Sequence, residues 1–470
     1  MPTKVPVTVP DVDPLAKMTE PPPDETPTQR EARLRAEAEA QHVSDTIDEE
    51  LERQRVAEKK APRALKVLLL GQSESGKSTT LKNFQIMYDP KAFKAERASW
   101  RAVIQLNVVR SIHLILDAMT RAQNASDAHL QLSPELLKLQ MRLAPLLQVE
   151  QALIRQLTPS GSGESEPTHL SYAERSERSR NIREVAINSA TQWKGAFSRL
   201  LTGDPDEDAD VVEMVDWGNP NDPGVVLNAC AQDMVLLWGD PSVQRLLVRQ
   251  NLRLEEMAGF FLDSLDRVTS PQYVPSDDDI LRARLKTLGV SEHRFTMSQG
   301  SSIARDWRVF DVGGHRSLVS AWVPYFDDMD AIIFLAPISC FDQVLAEDPK
   351  VNRLEDSVNL WISIVSNELL KNTNLILFLN KIDILKAKLA SGIRLVDYVV
   401  SYANRPNDFE NASMYLRKKF GGLLKEKSIL PRPFYCHYTA VTDTKSTKKI
   451  LLDVKDVLMR RNLADAALLT

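Results

Sequence analysis

At 470 residues the chain is long enough for two or three domains with full cores. It is 43% hydrophobic and 26% charged with a formal net charge of -5, so it offers a polyanion no general attraction, which argues against nucleic-acid binding as its main task. Apolar runs such as "AIIFLA" (331–336) fall far short of the roughly 20 residues that span a bilayer, which predicts a soluble protein.

Residues 1–28 are rich in Pro, Asp, Glu and Thr and read as a disordered N-terminus. The opening "MPTKVPVTVP" lacks the layout of a secretory signal, has Pro2 where N-myristoylation requires Gly, and has no nearby Cys for palmitoylation. Residues 29–60 are strongly helix-forming and highly charged, and Val43, Ile47 and Leu51 fall four apart on one narrow stripe. This N-terminal helix cannot bury much alone, so it is expected to dock on a partner.

"ALKVLLLG" (64–71) is a short continuous apolar run, the mark of a parallel strand buried on both faces. "WRVFDVGG" (307–314), "AIIFLAPI" (331–338), "NLILFLNKID" (374–383) and "RPFYCHYTAV" (432–441) repeat the type, separated by helical patterns such as "VNRLEDSVNLWISIVSNELL". Strands alternating with helices predict a doubly wound α/β sheet with its ligand site at the carboxyl ends of the strands. From 94 to 273 the pattern is helical throughout, as in "VVRSIHLILDAM" (108–119), "ELLKLQMRLAPLLQVEQALIRQL" (135–157) and "LEEMAGFFLDSLDRV" (254–268). The α/β domain is therefore expected in two parts, 61–93 and 274–470, around an inserted all-α domain at 94–273. "TPSGSGESEPT" (158–168) and "GDPDEDAD" (203–210) read as solvated loops. Cys230, Cys340 and Cys436 show no metal-ligand spacing and read as buried hydrophobes in a reducing compartment.

"GQSESGKS" (71–78) fits the phosphate-loop pattern between an apolar strand and a helix. In such a loop backbone N–H groups and the helix N-terminus receive phosphates, Lys77 neutralises the β and γ oxygens, and the Ser78 hydroxyl ligates magnesium. The loop alone does not separate kinases, ATPases and GTPases. "NKID" (380–383) closes an apolar strand, where a carboxylate can accept both N–H groups of the guanine ring edge, which adenine does not supply. Between the two lies a D-x-x-G loop, Asp311 to Gly314, whose Asp would hold magnesium through water and whose last Gly N–H would sense the γ-phosphate. A metabolic kinase has no role for the last two motifs in this order.

With these motifs in place, the sequence resembles the α subunits of heterotrimeric G proteins, of a fungal type with an enlarged helical domain. The family's phosphate loop reads G-x-G-E-S-G-K-S-T, and "GQSESGKST" keeps all but one glycine. "LRARLKTLG" (281–289) resembles the first switch, "VLAEDPKVNRLEDS" (344–357) the third, "HYTAVTDT" (437–444) the guanine-contacting T-C-A-T segment, and "VLMRRNLADAALLT" the receptor-reading tail. The likeness covers about 40–120 and 255–470, and leaves extra sequence at about 123–228.

The resemblance implies a Ras-like P-loop GTPase domain with an inserted helical domain and an N-terminal helix, acting as a GDP/GTP switch with bound Mg2+. It implies phosphate contacts from Gly71, Glu74, Ser75, Gly76, Lys77, Ser78 and Thr79, with Leu281, Arg282 and Thr287 of the first switch also at the nucleotide. Arg284 would be the arginine finger, Ser78 and Thr287 the magnesium-ligating hydroxyls, and Asp311 and Gly314 the second-switch contacts. Asn380, Lys381, Asp383 and the Val441 backbone would hold the base. Implied partners are a βγ dimer, a G-protein-coupled receptor and a downstream effector. The implied place is the cytoplasm, at the inner face of the plasma membrane through those partners.

The second switch departs from the family, which reads D-V-G-G-Q-R-S-E-R-K-K-W where this chain has "DVGGHRSLVSAW". His315 replaces the glutamine that holds the attacking water, and Leu318, Val319, Ser320 and Ala321 replace four charged residues, while Trp322 is kept. Val319 cannot make the ion pair that would reach the carboxylate near Asp356. Locking of the GTP state and contact with βγ are both affected. A glutamine amide offers donor and acceptor from one terminus, whereas neutral imidazole carries them on separate ring atoms and protonated imidazole accepts nothing. Slow hydrolysis is therefore expected, with a GTP-binding interaction protein or scaffold of almost no turnover as the alternative. Ala466 stands where the inhibitory class carries the cysteine modified by pertussis toxin.

Overall fold

The computed structural model describes residues 26–60, 64–97, 99–124, 133–157, 186–188, 219–220, 222–250, 252–288, 290–296, 306–313, 326, 329–345 and 348–468. The expectations for 1–25 and for the loops at 158–168 and 203–210 lie outside these residues. The chain divides into two units, Met1–Arg63 and Ala64–Thr470. The first contributes helix α1 (Pro27–Lys60), which begins two residues before the expected start. Leu34, Val43, Ile47 and Leu51 are exposed along it, and Arg35–Glu31, Arg33–Glu37 and Arg53–Glu49 pair one turn apart.

In the second unit the strands are β1 (Leu65–Leu70), β2 (Ala186–Asn188), β3 (Lys286–Leu288), β4 (Val290–Thr296), β5 (Asp306–Val312), β6 (Ala331–Pro337), β7 (Asn374–Asn380) and β8 (Tyr435–Thr439). The helices used below are α2 (Lys77–Tyr88), α3 (Pro90–Ala95), α4 (Trp100–Asn124), α5 (Pro134–Arg142), α6 (Leu146–Leu157), α7 (Pro223–Ala229), α8 (Ala231–Gly239), α9 (Pro241–Arg249), α10 (Leu265–Val268), α11 (Asp277–Arg282), α12 (Arg353–Val365), α13 (Ile382–Ala390), α14 (Phe409–Lys427) and α15 (Thr444–Leu468). Six strands form one sheet in the order β4-β5-β1-β6-β7-β8, parallel except that β4 runs antiparallel to β5.

Each central strand is buried on both faces, which is why its sequence is a continuous apolar run. Along β1, Val67 and Leu69 join a core with Phe84 of α2 and Leu451, Val454 and Leu458 of α15. Leu68 and Leu70 point the other way, into a core with Trp361 of α12 and Phe420 of α14. Helices thus cover both faces, a Ras-like doubly wound arrangement, and the sheet register brings Asp311, Asn380 and Thr439 to the carboxyl ends of their strands.

A third core belongs to the helices between β1 and β3. Helix α4 runs through it with Ile104, Val108, Val109, Ile112, Ile115 and Met119 buried against residues such as Leu153 of α6, Leu237 of α8 and Leu246 of α9. By length and composition α4 is long and apolar enough to cross a membrane, but most of it is buried inside this core. Of the segment 123–228, α5, α6 and α7 supply core residues including Leu136, Leu146, Leu157 and Leu227.

The structure departs from the sequence pattern in four places. The helical text of 135–157 is two helices, broken at Ala144–Pro145, because proline lacks the N–H a continuing helix needs and disfavours helical backbone at the residue before it. The text of 254–268 is one helical turn, α10, preceded by short 3-10 turns, because Gly259 sits at φ +83, where a right-handed helix cannot pass. The stretch expected to be helical throughout contains β2, which pairs in parallel with β3 through Ala186–Lys286, Ile187–Thr287 and Asn188–Leu288. Strand β4 has no apolar run because it is an edge strand with mixed exposure.

Candidate functional site

The carboxyl ends of β1, β5 and β7 open into a cavity of about 940 Å³, lined by Ser73 to Thr79, Leu281 to Arg284, Asp311, Asn380, Lys381, Asp383 and Val441 among others. The phosphate loop leaves β1 at Gly71 and enters α2 at Lys77, so the N-terminal turn of α2, the end of a helix that favours anions, faces the cavity. Gly76 holds φ +102, and a Cβ there would lie 2.4 Å from Asn380 Nδ2 and 2.9 Å from Val441 Cγ2, so no other residue fits. The loop is wedged between the base-side strand and the segment after β8.

Lys77 Nζ donates to the carbonyls of Gly71 and Gln72 at 2.8 Å each, which bends its ammonium over the loop. Burial pulls its pKa down to about 8, with the Asp311 carboxylate opposing the shift. Ser78 Oγ donates to Asp311 Oδ2 at 2.7 Å, joining the start of α2 to the end of β5. A hydroxyl and a carboxylate side by side at the mouth of an anion-binding loop form a hard-oxygen set that suits magnesium. Thr287 lies in β3, where its backbone pairs with Ile187. Gly314 and His315 fall outside the described residues.

Arg284 occupies the linker between α11 and β3, and its guanidinium pairs with Glu74 of the phosphate loop. Arg353, at the start of α12, reaches the same carboxylate at 3.2 Å and donates to Ser73 O at 2.9 Å. Two arginines from distant elements thus meet on Glu74. Leu281 O accepts from Thr79 Oγ1 at 3.4 Å, and Arg282 is exposed.

On the base side Asn380 is fully buried and makes three bonds. Its Nδ2 donates to Ser75 O at 2.7 Å, while Oδ1 accepts from Thr439 Oγ1 at 3.0 Å and from the Val441 N–H at 3.3 Å. This residue ties the phosphate loop, β7 and the segment after β8 together. Lys381 follows with left-handed backbone, φ +61, and burial next to Arg353 lowers its pKa to about 8. The turn delivers Asp383, exposed and facing the cavity, in the first turn of α13.

An ionic cluster beside the cavity has no motif to announce it. Lys388 Nζ lies 2.5 Å from Asp342 and 2.7 Å from Glu256, with Lys388 and Asp342 almost completely buried. Arg253 pairs with Asp342 and with Glu256, and Gln343 donates to Glu256 at 2.8 Å. The cluster joins the loop after α9 to the loop after β6 and to α13. The one sequence signal is that Lys388 shares the buried stripe of α13 with Leu385 and Leu389. Replacing Lys388 by Met leaves two carboxylates facing each other around a lost cation, and is expected to cost about 3 to 5 kcal/mol of stability. Urea titration measures this, and an unchanged midpoint would show that Arg253 alone neutralises the pair.

This sheet, its wedged phosphate loop, and helices inserted between the first strand and the arginine linker define a Ras-like P-loop protein with a helical domain. Comparison with known sequences narrows the class: a family model described as G-protein alpha subunit matches residues 41–458. The chain is 30% identical over 558 aligned positions to the guanine nucleotide-binding protein alpha-4 subunit of Mycosarcoma maydis, covering 96% of this chain and 94% of that one. It is 31% identical to the alpha-1 subunit of the same organism over 93% and 98% of the two chains. To the alpha-2 subunit of Neurospora crassa it is 30% identical over 88% and 94%. The chain belongs to the G-protein alpha-subunit family, whose members are nucleotide-dependent signalling switches that hydrolyse GTP.

Proposed function

We propose that this chain binds GDP and GTP with magnesium in the cavity at the ends of β1, β5 and β7, alternates between the two states, and hydrolyses GTP slowly. The observation that supports this most is the convergence on one cavity of Lys77, the Ser78–Asp311 pair, Arg284 and Asp383. Lys77 and the first turn of α2 bind the β and γ phosphates, and the Lys77 ammonium exchanges its carbonyl partners for phosphate oxygens. Magnesium, held by Ser78 and Thr287 with Asp311 acting through water, would neutralise charge on the phosphate oxygens. Arg284 leaves Glu74 to stabilise charge developing on the γ-phosphoryl group. Asp383 selects guanine, with Asn380, Lys381 and Val441 shaping the base pocket.

The chain then divides into an N-terminal helix at 29–60, a GTPase domain at 61–93 and 274–470, and a helical domain at 94–273 with the extra segment 123–228. The helix at 29–60 and the second switch face a βγ dimer, the C-terminal tail a receptor, and the switches an effector. The protein works at the inner face of the plasma membrane through these partners.

Slow turnover follows from His315, whose ring cannot present donor and acceptor from one terminus to the attacking water and the γ-phosphate. His315→Gln is expected to accelerate phosphate release in a single-turnover assay on purified, GTP-loaded protein. An unchanged or slower rate would show that His315 is competent or that another residue places the water. If the unaltered protein retains its bound GTP indefinitely, it is a nucleotide-dependent scaffold instead.

A further inference from the structure

The linker Ala283–Leu285 belongs to no helix or strand, so no regular ladder fixes the main chain that carries Arg284. The Ala283 N–H still donates to Asp279 O at 2.9 Å, but at Arg284 a side chain holds the backbone. Asn107, on the buried side of α4, accepts from the Arg284 N–H through Oδ1 at 2.8 Å and donates to the Arg284 carbonyl through Nδ2 at 3.0 Å. Both ends of one amide are spent on one residue's peptide groups. Because the partners are a donor and an acceptor, they settle which end of the amide is oxygen.

Asn107 is only 7% exposed, on a helix whose other buried positions include Val103, Leu106, Val109 and Ile112. A buried amide is costly unless paired, and these two bonds supply its pairing. Gly259 backs the clamp from the other side: its N–H donates to Arg282 O at 3.0 Å, and a Cβ there would lie 2.7 Å from Asn107 Oδ1 and 3.1 Å from Arg284 Cβ. From the phosphate-loop helix, Lys82 Nζ donates to Ile280 O at 2.8 Å and Ala283 O at 3.0 Å, closing the third side.

We propose that Asn107 is a positioning residue for hydrolysis: through its two bonds to the Arg284 main chain, the helical domain sets where the Arg284 guanidinium reaches. The proposal rests on the assignment of Arg284 to the γ-phosphoryl charge. An arginine acts over a narrow range of positions, and displacement by about 1 Å can cost on the order of 10²-fold in rate. Asn107 touches no phosphate, so its removal slows the chemical step and leaves the phosphate loop and base pocket as they were.

The test is a double-mutant cycle on the full chain, with Asn107→Ala, Arg284→Ala and both together, read by single-turnover phosphate release from bound GTP and by GTP affinity. Asn107→Ala should slow release about 10- to 10²-fold with affinity retained. In the Arg284→Ala background it should add nothing, because no guanidinium remains to misplace. A slowing that multiplies in the double variant, or no slowing in the single one, overturns the positioning role. If Arg284→Ala itself hydrolyses at the unaltered rate, the assignment of Arg284 falls first and the proposal with it. Asn107→Asp keeps the side-chain shape and the bond to the Arg284 N–H but sets an oxygen against its carbonyl. It should be slowed as well, and it serves where Asn107→Ala does not fold; an unaltered rate in Asn107→Asp counts against the role.

Discussion

Arg284→Ala should yield a protein that binds GTP almost as well as before and scarcely hydrolyses it. The Arg284 side chain is one-quarter exposed at the cavity wall, and its ion pair is with Glu74 of the loop that grips the phosphates. The fold is expected to survive the change because Glu74 would not be left as an uncompensated carboxylate. Arg353 continues to neutralise Glu74 after the change. The loss falls on the transition state, where an arginine finger contributes about 10³ to 10⁵ in rate; that range is the one general to this family and to GTPases activated in trans, and does not come from the present geometry. Single-turnover phosphate release measures it beside equilibrium binding of a non-hydrolysable GTP analogue. Collapse of affinity with an unchanged rate per bound nucleotide would make Arg284 a binding residue.

Asp383→Asn should exchange guanine for xanthine. The backbone around Asp383 is fixed independently of its carboxylate, by the three bonds of Asn380 and the left-handed turn at Lys381, so an amide enters the same position. A carboxylate accepts from the ring N1–H and the exocyclic amino group of guanine. An amide keeps one acceptor and gains a donor, which matches the oxygen xanthine carries in place of that amino group. Sites that hydrogen-bond a polar edge reject the analogue lacking it by about 10⁴ to 10⁵, and a loss of that order is expected for GTP. Competition binding with GTP, XTP and ATP reads the switch. Equal affinity of the unaltered protein for ATP and GTP, or undiminished GTP binding by the variant, would remove Asp383 from the base site.

The parts legible in the sequence are those whose physics is local. Strands β1, β6 and β7 stand out because burial on both faces demands unbroken apolar text, β5 and the half-buried edge strand β8 carry the same signal more weakly, and the glycines and lysine of "GQSESGKS" stand out because a phosphate loop admits few alternatives. Strand β4 escapes because one edge and much of its surface meet water. The residues from 254 to 268 mislead because their helical phase is real, yet Gly259 turns the chain against Asn107. Asn107 itself could not be found in this way: it binds a backbone 177 positions away, and backbone contacts leave no mark on the identity of the residue contacted.

At β4 the large sheet ends in a strand that, among the described residues, pairs on one side only. An open row of backbone donors and acceptors invites a strand from another molecule, and sheets left so become templates for polymer growth. Here Glu292 and Arg294 sit on that strand, bonded to each other at 2.7 Å, with Arg308 of β5 reaching Glu292 at 3.7 Å. Any strand arriving at this border would have to strip water from those charges without supplying a counter-charge in register. Charges on an edge strand are a general guard against such pairing, and Glu292→Val with Arg294→Val is expected to make this rim adhesive.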